Sequence, residues 1–389
     1  MSESLRVFAI EPYYGGSHKA FLDSVQRHSR HQWELFTGQP RHWKWRMRSS
    51  PLELSQATEH AIRSLGAPDV IVCSSMLDLP TWLGLSARAS STDFTRQAWN
   101  VPIAMYFHEN QWTYPQSPKA RYDAHYGYTN LLSAIAADAC WFNSQYHLDS
   151  FLQAGESFVA KMPDTRRIHD VAAIRSKSEV IAPGFSSRSD RSQRSRTDNT
   201  LPLRIGWVSR WEFDKRPDRF FDLLTRLNDR AIDFRLVLLG NRAENEPSLT
   251  SIRNHFAGQI LVDQYADSRE SYRRHLTQID VVVSTADHEF FGIAVCEAID
   301  AGAAPVLPNR LSYPELVPDN DRYESIDDAV DQIDALRDPK KRAEAVTTAQ
   351  QSIRRFQITE TVPQLDQAIA QLHQTRSARE HTSSGRRGA

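Results

Sequence analysis

Short apolar runs rich in β-branched and aromatic residues alternate along the chain with stretches whose apolar residues recur at helical spacing. The runs fall at residues 5–10, 69–73, 101–107, 139–143 and 180–182, and again at 203–208, 234–239, 259–262, 280–284 and 304–307. Helical patterns such as 128–137, 218–227 and 293–301 lie between them. A strand with one face in water alternates apolar and polar residues; these runs are apolar at nearly every position and need cover on both faces. Strand–helix alternation of this kind is the signature of parallel α/β sheets. The two series are separated by SSRSDRSQRSRTDNT, residues 186–200, which contains no apolar residue and can join no core. It reads as a solvated linker, with an RNA-contacting arm as the alternative.

The expected fold class is therefore α/β, with two Rossmann-like domains. The first covers 1–185, the polar linker 186–200, and the second 201–345. Helices over 346–376 are expected to pack back on the first domain, with Val362, Leu365, Ile369 and Leu372 on one stripe, and 377–389 to form a disordered tail. A length of 389 residues allows two to three domains at roughly 150 residues each. The charges nearly cancel, 47 Lys+Arg against 48 Asp+Glu for a net −1, which excludes a nucleic-acid binder driven by global charge but leaves room for a local basic patch. No window approaches the ~18 apolar residues of a membrane span, and the N-terminus reaches Glu11 and Gly15 too early for a signal-peptide core. Cys73, Cys140 and Cys296 are isolated from one another and form no CxxC pair, as expected of reduced thiols rather than a disulfide frame or zinc ribbon. These features describe a soluble cytoplasmic protein.

In open α/β sheets ligands bind beyond the carboxyl ends of the strands, so the residues that follow each run carry the most information. After 280–284 comes TADHEFFGIAVCEAIDAG, with Glu289 and Glu297 eight apart and a helix starting near Gly292. A helix N-terminus offers free N–H groups and the positive end of a dipole, suited to a phosphate. Spacing alone leaves open a sugar- and ribose-binding pair or a generic strand–helix unit with two surface glutamates. After 203–208, SRWEFDKRPD places Arg210 and Lys215 at a turn, as two cations facing a diphosphate or as a solvated basic turn. Gly240-Asn241-Arg242 is a third ligand-facing turn.

In the first half, EPYYGGSHKAF puts Gly15-Gly16 in a tight turn with Ser17 as a candidate helix cap; it is not GxGxxG, so no dinucleotide site follows. YFHENQWTYP sets His108, Glu109, Asn110 and Gln111 at a strand's carboxyl end, more often a site than a core. Neither HENQW nor HEFFG has the HExxH spacing of a zinc hydrolase. PRHWKWRMR, residues 40–48, interleaves two Trp with one Lys and three Arg. That mixture suits a nucleic-acid surface or an amphipathic loop whose indoles pack inward.

Arg210…Lys215 together with Glu289-Phe-Phe-Gly…Glu297 resemble the retaining, nucleotide-sugar-dependent glycosyltransferases of family 4, which have the GT-B fold of two Rossmann-like domains facing a cleft. EPYYGGSHKAF, WKWRMR and YFHENQWTYP are similar to stretches of a narrower group, the tRNA-queuosine mannosyltransferases, over roughly residues 5–180. This resemblance implies transfer of mannose from GDP-mannose to the cyclopentene-diol of queuosine in a tRNA anticodon of the tRNA-Asp type, with retention at the anomeric carbon. By position, Arg210 and Lys215 would neutralise the diphosphate and Glu289 would hold the sugar hydroxyls. Phe291, Gly292 and Ile293 would offer amides to phosphate and sugar, and Glu297 would grip the ribose. Gly240 and Asn241 would line the donor pocket, His108 would face the reacting centre, and Gly15-Gly16 would lie near the diphosphate or acceptor. Trp43, Lys44, Trp45, Arg46 and Arg48 become the tRNA contact, with Glu109, Asn110 and Gln111 at the acceptor.

The chain carries Ser209-Arg210 where family 4 often has Gly-Arg. No DxD follows a strand; Asp319-Asn320-Asp321 reads as a turn, and the resemblance requires no metal or other cofactor, no membrane and no protein partner. Two other readings fit parts of the pattern. A family-4 enzyme acting on a lipid, glycan or metabolite would use the Trp/Arg stretch at an anionic membrane. An RNA-binding protein without turnover would have no use for Glu289, Glu297, Arg210, Lys215 and His108 together.

Overall fold

The structure, a computed structural model, describes residues 3–90, 101–115, 123–164, 166, 168–187, 201–241 and 246–385. Most of the polar linker, 188–200, and Arg242 lie outside the described residues. The chain divides into two compact units, residues 1–184 with 358–389, and residues 185–357.

In the first unit, β1 (Arg6–Glu11), β2 (Gln32–Thr37), β3 (Val70–Ser74), β4 (Ile103–Phe107), β5 (Ala139–Phe142) and β6 (Ser178–Val180) form a sheet in the order β2-β1-β3-β4-β5-β6. Every pairing is parallel, with Val7 opposite Val70 and Cys73 opposite Met105. Successive side chains of a strand point to opposite faces, and both faces are covered. Phe8, Ile10, Ile71, Cys73, Met105 and Phe107 enter one core, and Val7, Ala9, Val70, Val72, Ala104 and Tyr106 the other. This double burial is why β3 and β4 read as unbroken apolar runs. β2 escapes the sequence reading because, as an edge strand, its Gln32, Glu34 and Thr37 alternate with buried Trp33 and Phe36.

The second unit repeats the plan with β7 (Leu203–Trp207), β8 (Phe234–Leu239), β9 (Ile260–Gln264), β10 (Val281–Val283), β11 (Ala304–Pro308) and β12 (Arg322–Tyr323). Its order is β12-β11-β10-β7-β8-β9, again parallel throughout. In each sheet the chain reverses its direction of travel once, between β1 and β3 in the first and between β7 and β10 in the second. Loops part at such a switch point and leave a crevice for a ligand.

Two expected boundaries are corrected. The helix Pro339–Ile353 buries Ala349 and Ile353 within the second unit, and Gln350 Nε2 donates to the Ile299 carbonyl at 3.1 Å, so that unit runs to 357 rather than 345. The helix Ile358–Gly385 belongs to the first unit, and its backbone stays helical through residues expected to be disordered from 377. Its Val362, Leu365 and Ile369 are buried with Val7, Ala9 and Val25. The three thiols are free and buried. Among the described residues, no helix is long and apolar enough to cross a membrane.

Asp366 fastens the returning helix. Its carboxylate accepts from the Ser29 hydroxyl at 2.5 Å and the Arg30 N–H at 3.0 Å, and its carbonyl lies 3.0 Å from His31 Nε2. Asp366→Ala removes the charged acceptor of the half-buried Ser29 hydroxyl and the Arg30 N–H while leaving the carbonyl bond to His31, and is expected to cost about 1–3 kcal/mol, read as a lower midpoint in urea unfolding.

Candidate active site

In the second unit the loops after β7 and β10 flank the switch point. Arg210 is nearly half exposed and pairs with Glu212 at 2.9 Å. The chain then closes a 3-10 turn, Phe213–Lys215, that turns Lys215 inward. The Lys215 Nζ donates to the His288 carbonyl at 2.6 Å and to Glu289 Oε2 at 3.2 Å, and lies 3.4 Å from the Asp214 carboxylate. Two further bonds join the same loops: Asp287 N–H to the Asp214 carbonyl at 2.8 Å, and the Thr285 hydroxyl to the Lys215 carbonyl at 3.0 Å. Burial works to raise the Glu289 carboxyl, but the Lys215 ammonium, His288 and the Phe291 N–H together outweigh it and hold the group below the usual range. Asp214 is buried with no hydrogen bond to either carboxylate oxygen among the described residues; its charge is answered by Lys215 and, at 4.0 Å, by Arg210 and His288.

Gly240 is required by close approach, since a Cβ there would stand 2.1 Å from the Ser209 carbonyl oxygen. The loops after β7 and β8 thus touch backbone to backbone, and the Trp211 N–H donates to the Asn241 carbonyl at 3.1 Å. Gly292, at φ 101°, is the N-cap of the helix Ile293–Asp300, and no side chain caps it. The first N–H groups of that helix therefore remain available beside Glu289. Phe291 is buried and meets Phe356 edge to face at 5.3 Å, which anchors the loop. Glu297, one turn into that helix, is buried; burial pushes its carboxyl upward, and Arg269 and Tyr272 are its partners.

In the first unit the N-cap of the helix Gly16–His28 is Gly15, so the expectation that Ser17 caps it is corrected: no side chain does. Gly16 leaves open space where a side chain would stand. Glu11, at the end of β1, is buried; its Oε1 accepts from the Tyr13 N–H at 2.8 Å and the Ser74 hydroxyl at 3.0 Å, and its Oε2 lies 2.9 Å from His18 Nδ1. His18 Nε2 lies 3.6 Å from Glu109, and its ring lies over that of His108 at 4.2 Å and 36°. Burial first, and then the charges of His18 and His147, keep His108 neutral. Burial disfavours the charged His18 as well, but Glu11 and then Glu109 overcome it and raise its pKa to about 10. Ligand-type atoms of Glu11, His18 and His108 lie within 4.8 Å of one another. A proton already joins Glu11 to His18, and the two rings are nearer to stacked than to the edge-on approach that shares an ion, so the group reads as a proton-bearing network.

The run after β4 does not face one way. Glu109 keeps a quarter of its side chain exposed. Asn110 is fully buried, its Oδ1 accepting from the N–H groups of Trp112 and Thr113 at 3.0 Å each, a turn-forming role that takes it out of the expected acceptor set. Gln111 is buried, and its N–H donates to Asn130 Oδ1 at 2.9 Å.

The Trp/Arg stretch is the start of a helix, Trp43–Leu65, rather than a loop. Trp45 is 61% exposed. Trp43 meets Tyr126 edge to face at 5.2 Å, Lys44 sits 5.5 Å from the Trp43 ring, and Arg48 sits 5.1 Å from Tyr126. Arg46 departs from the set, turning to Glu53 at 3.2 Å. Sequence reasoning missed Tyr126, Asp214, Arg269, Glu11 and His18, because each acquires its meaning from a partner far along the chain or on another element.

A raised His18 pKa has a consequence for stability. The group contributes fully below its unfolded value of 6.5, and the contribution is lost as pH rises toward about 10. The unfolding free energy of wild type minus that of His18→Asn is therefore expected to shrink across this window, as measured by denaturant titrations at a series of pH values.

Residues 6–185 match a family described as tRNA-queuosine alpha-mannosyltransferase N-terminal, and residues 189–352 one described as Glycosyl transferases group 1. The chain is 33% identical over 327 residues to a tRNA-queuosine alpha-mannosyltransferase of Drosophila melanogaster, covering 82% of this chain and 83% of that one. Its fold resembles sucrose-phosphate synthase from Thermosynechococcus elongatus, with a TM-score of 0.69 at 13% identity over 95% of this chain and 100% of that one. It also resembles Anabaena HepE in complex with UDP, with a TM-score of 0.64 at 16% identity over 94% and 100%. Two parallel-sheet units with these neighbours make the fold GT-B, and the chain belongs to the tRNA-queuosine alpha-mannosyltransferase family.

Proposed function

We propose that the protein transfers mannose from GDP-mannose to the cyclopentene-diol of queuosine in a tRNA anticodon, with retention at the anomeric carbon. The observation that carries this reading is Lys215, turned inward between Glu289 and the His288 carbonyl, beside the uncapped N-terminus of the helix Ile293–Asp300. Family membership supports the sugar and acceptor.

In the transfer, the bond from the anomeric carbon to the diphosphate oxygen breaks, and its electron pair leaves with GDP. Negative charge gathers on the diphosphate, where Lys215, Arg210 and the amides of Phe291, Gly292 and Ile293 stabilise it. Positive charge gathers on the sugar, beside the ionised Glu289, which also accepts from sugar hydroxyls. One hydroxyl of the queuosine diol forms the new bond to carbon, and its proton passes to the leaving phosphate. Glu297 accepts from the ribose hydroxyls, sharing or displacing Arg269. Gly240-Asn241 line the donor side; His108 and Gly15-Gly16 serve the sugar and acceptor. No metal enters the step. Trp43, Trp45 and Tyr126 offer ring faces to unpaired bases, and Lys44 and Arg48 offer charge to phosphates. The reaction belongs to the cytoplasm, where its tRNA and donor meet.

Nucleoside mass spectrometry tests the reaction directly. Purified protein with GDP-mannose is expected to add one hexose to queuosine-containing tRNA and none to tRNA lacking queuosine; a hexose on neither, with hydrolysis of another nucleotide sugar, overturns the acceptor. Lys215→Ala is expected to slow transfer by about 10²-fold or more while tRNA affinity stays near wild type. Replacing Trp43, Lys44, Trp45 and Arg48 together by Ala is expected to weaken tRNA binding and to flatten the log–log salt slope by about 1.4–1.8 for the two lost cations, measured by filter binding at several salt concentrations. Unchanged affinity would make those rings packing residues.

A further inference from the structure

The switch point of the first sheet lies between β1 and β3, and Glu11 bridges it. It stands at the end of β1, takes the hydroxyl of Ser74 at the end of β3, and takes the N–H of Tyr13 from the loop that leads to Gly15. Its remaining oxygen faces His18 Nδ1 at 2.9 Å, and the carboxylate is 1% exposed. A carboxylate so far from water needs both hydrogen bonds and a counter-charge. His18 supplies both, from the first turn of the next helix, and its far nitrogen points to Glu109 at 3.6 Å. Glu109 is the exposed end of the series, with His108 lying over the His18 ring.

We propose that Glu11 and His18 are positioning residues for the transfer: the buried carboxylate keeps His18 an imidazolium, which fixes the carboxylate of the partly exposed Glu109 and, together with burial, keeps the overlying His108 a neutral imidazole. The proposal rests on the reading above that His108 and Glu109 serve the sugar and acceptor. The groups that face His18 are Glu11 from β1, Tyr13 from the loop after it, and His108 and Glu109 from the loop after β4; His147 lies further off and acts on His108. Burial opposes charge on His18, and Glu11 with Glu109 restores it.

The arrangement suits the chemistry. Two carboxylates and one imidazolium sum to −1, the sign that favours positive charge developing on a sugar. A second imidazolium at His108 would cancel that benefit; a neutral His108 offers one donor and one acceptor to hydroxyls.

Two measurements test this. In the wild-type protein, nitrogen-15 histidine NMR is expected to show His18 protonated beyond pH 8 and His108 still neutral where a free imidazole, with its reference pKa of about 6.5, has become charged. A His18 that titrates at or below that reference overturns the proposal, and this readout needs neither substrate nor mutant. In Glu11→Gln the amide retains the shape and loses the charge, so kcat is expected to fall about tenfold or more between pH 6 and 8, a range over which the wild-type profile is expected to be flat, with KM for GDP-mannose within about twofold. A folded Glu11→Gln whose pH profile parallels wild type overturns the proposal equally. If the hexose goes to a different acceptor, the profile is measured with that acceptor, so failure of the queuosine reading and failure of the positioning role are distinguished.

Discussion

In a parallel sheet every strand's carboxyl end lies along one edge, and when helices cover both faces that edge is where polar side chains can gather. The strands here obey this constraint closely: β3, β4 and β11 are buried at every residue. What the strands exclude collects just past their ends. Glu11 ends β1 and His18 follows it, His108 lies past β4, Arg210 and Lys215 past β7, and Glu289 past β10. The reversal of strand order then parts the loops at one place in each sheet, which makes a crevice of what would otherwise be a row of turns.

Both clusters solve the same electrostatic problem with opposite signs at the centre. In the second unit a buried ammonium is shared by a carbonyl and two carboxylates. In the first, a buried carboxylate is shared by an amide, a hydroxyl and an imidazolium. Removing either centre leaves its partners buried without compensation, which is more damaging than the pair is stabilising. The lowered Glu289 carboxyl follows from the Lys215 centre, and the His18 imidazolium held by Glu11 adds to the burial that keeps His108 neutral.

Much of this was legible in the sequence, because double burial writes strands as apolar runs and the turns after them as bare polar residues. The spacing of Arg210, Lys215, Glu289 and Glu297 could be read for the same reason. β2 was not, since an edge strand with Gln32 and Glu34 exposed lacks the run. Asn110 looked like a ligand residue, yet its side chain closes a turn on Trp112 and Thr113, and polar type alone does not distinguish the two roles. Arg269 sits 28 residues before its partner Glu297, and Tyr126 meets Trp43 from another helix; such pairs exist only once the chain has folded.

The return of the helix Ile358–Gly385 to the first unit bears on biosynthesis. Ser29 and Asp366 are 337 residues apart, and the second unit is made entirely between them. On the ribosome, the face of the first sheet that carries Val7, Ala9 and Val72 must therefore wait, covered only in part by Phe21, Leu22 and Val25 of the helix Gly16–His28, while the second unit emerges and can fold on its own contacts. The order of synthesis is thus not the order of completion. A stop codon that removed only the final helix would leave the unit containing Lys215 and Glu289 whole, and would expose an apolar sheet face at the other end of the gene's coding order.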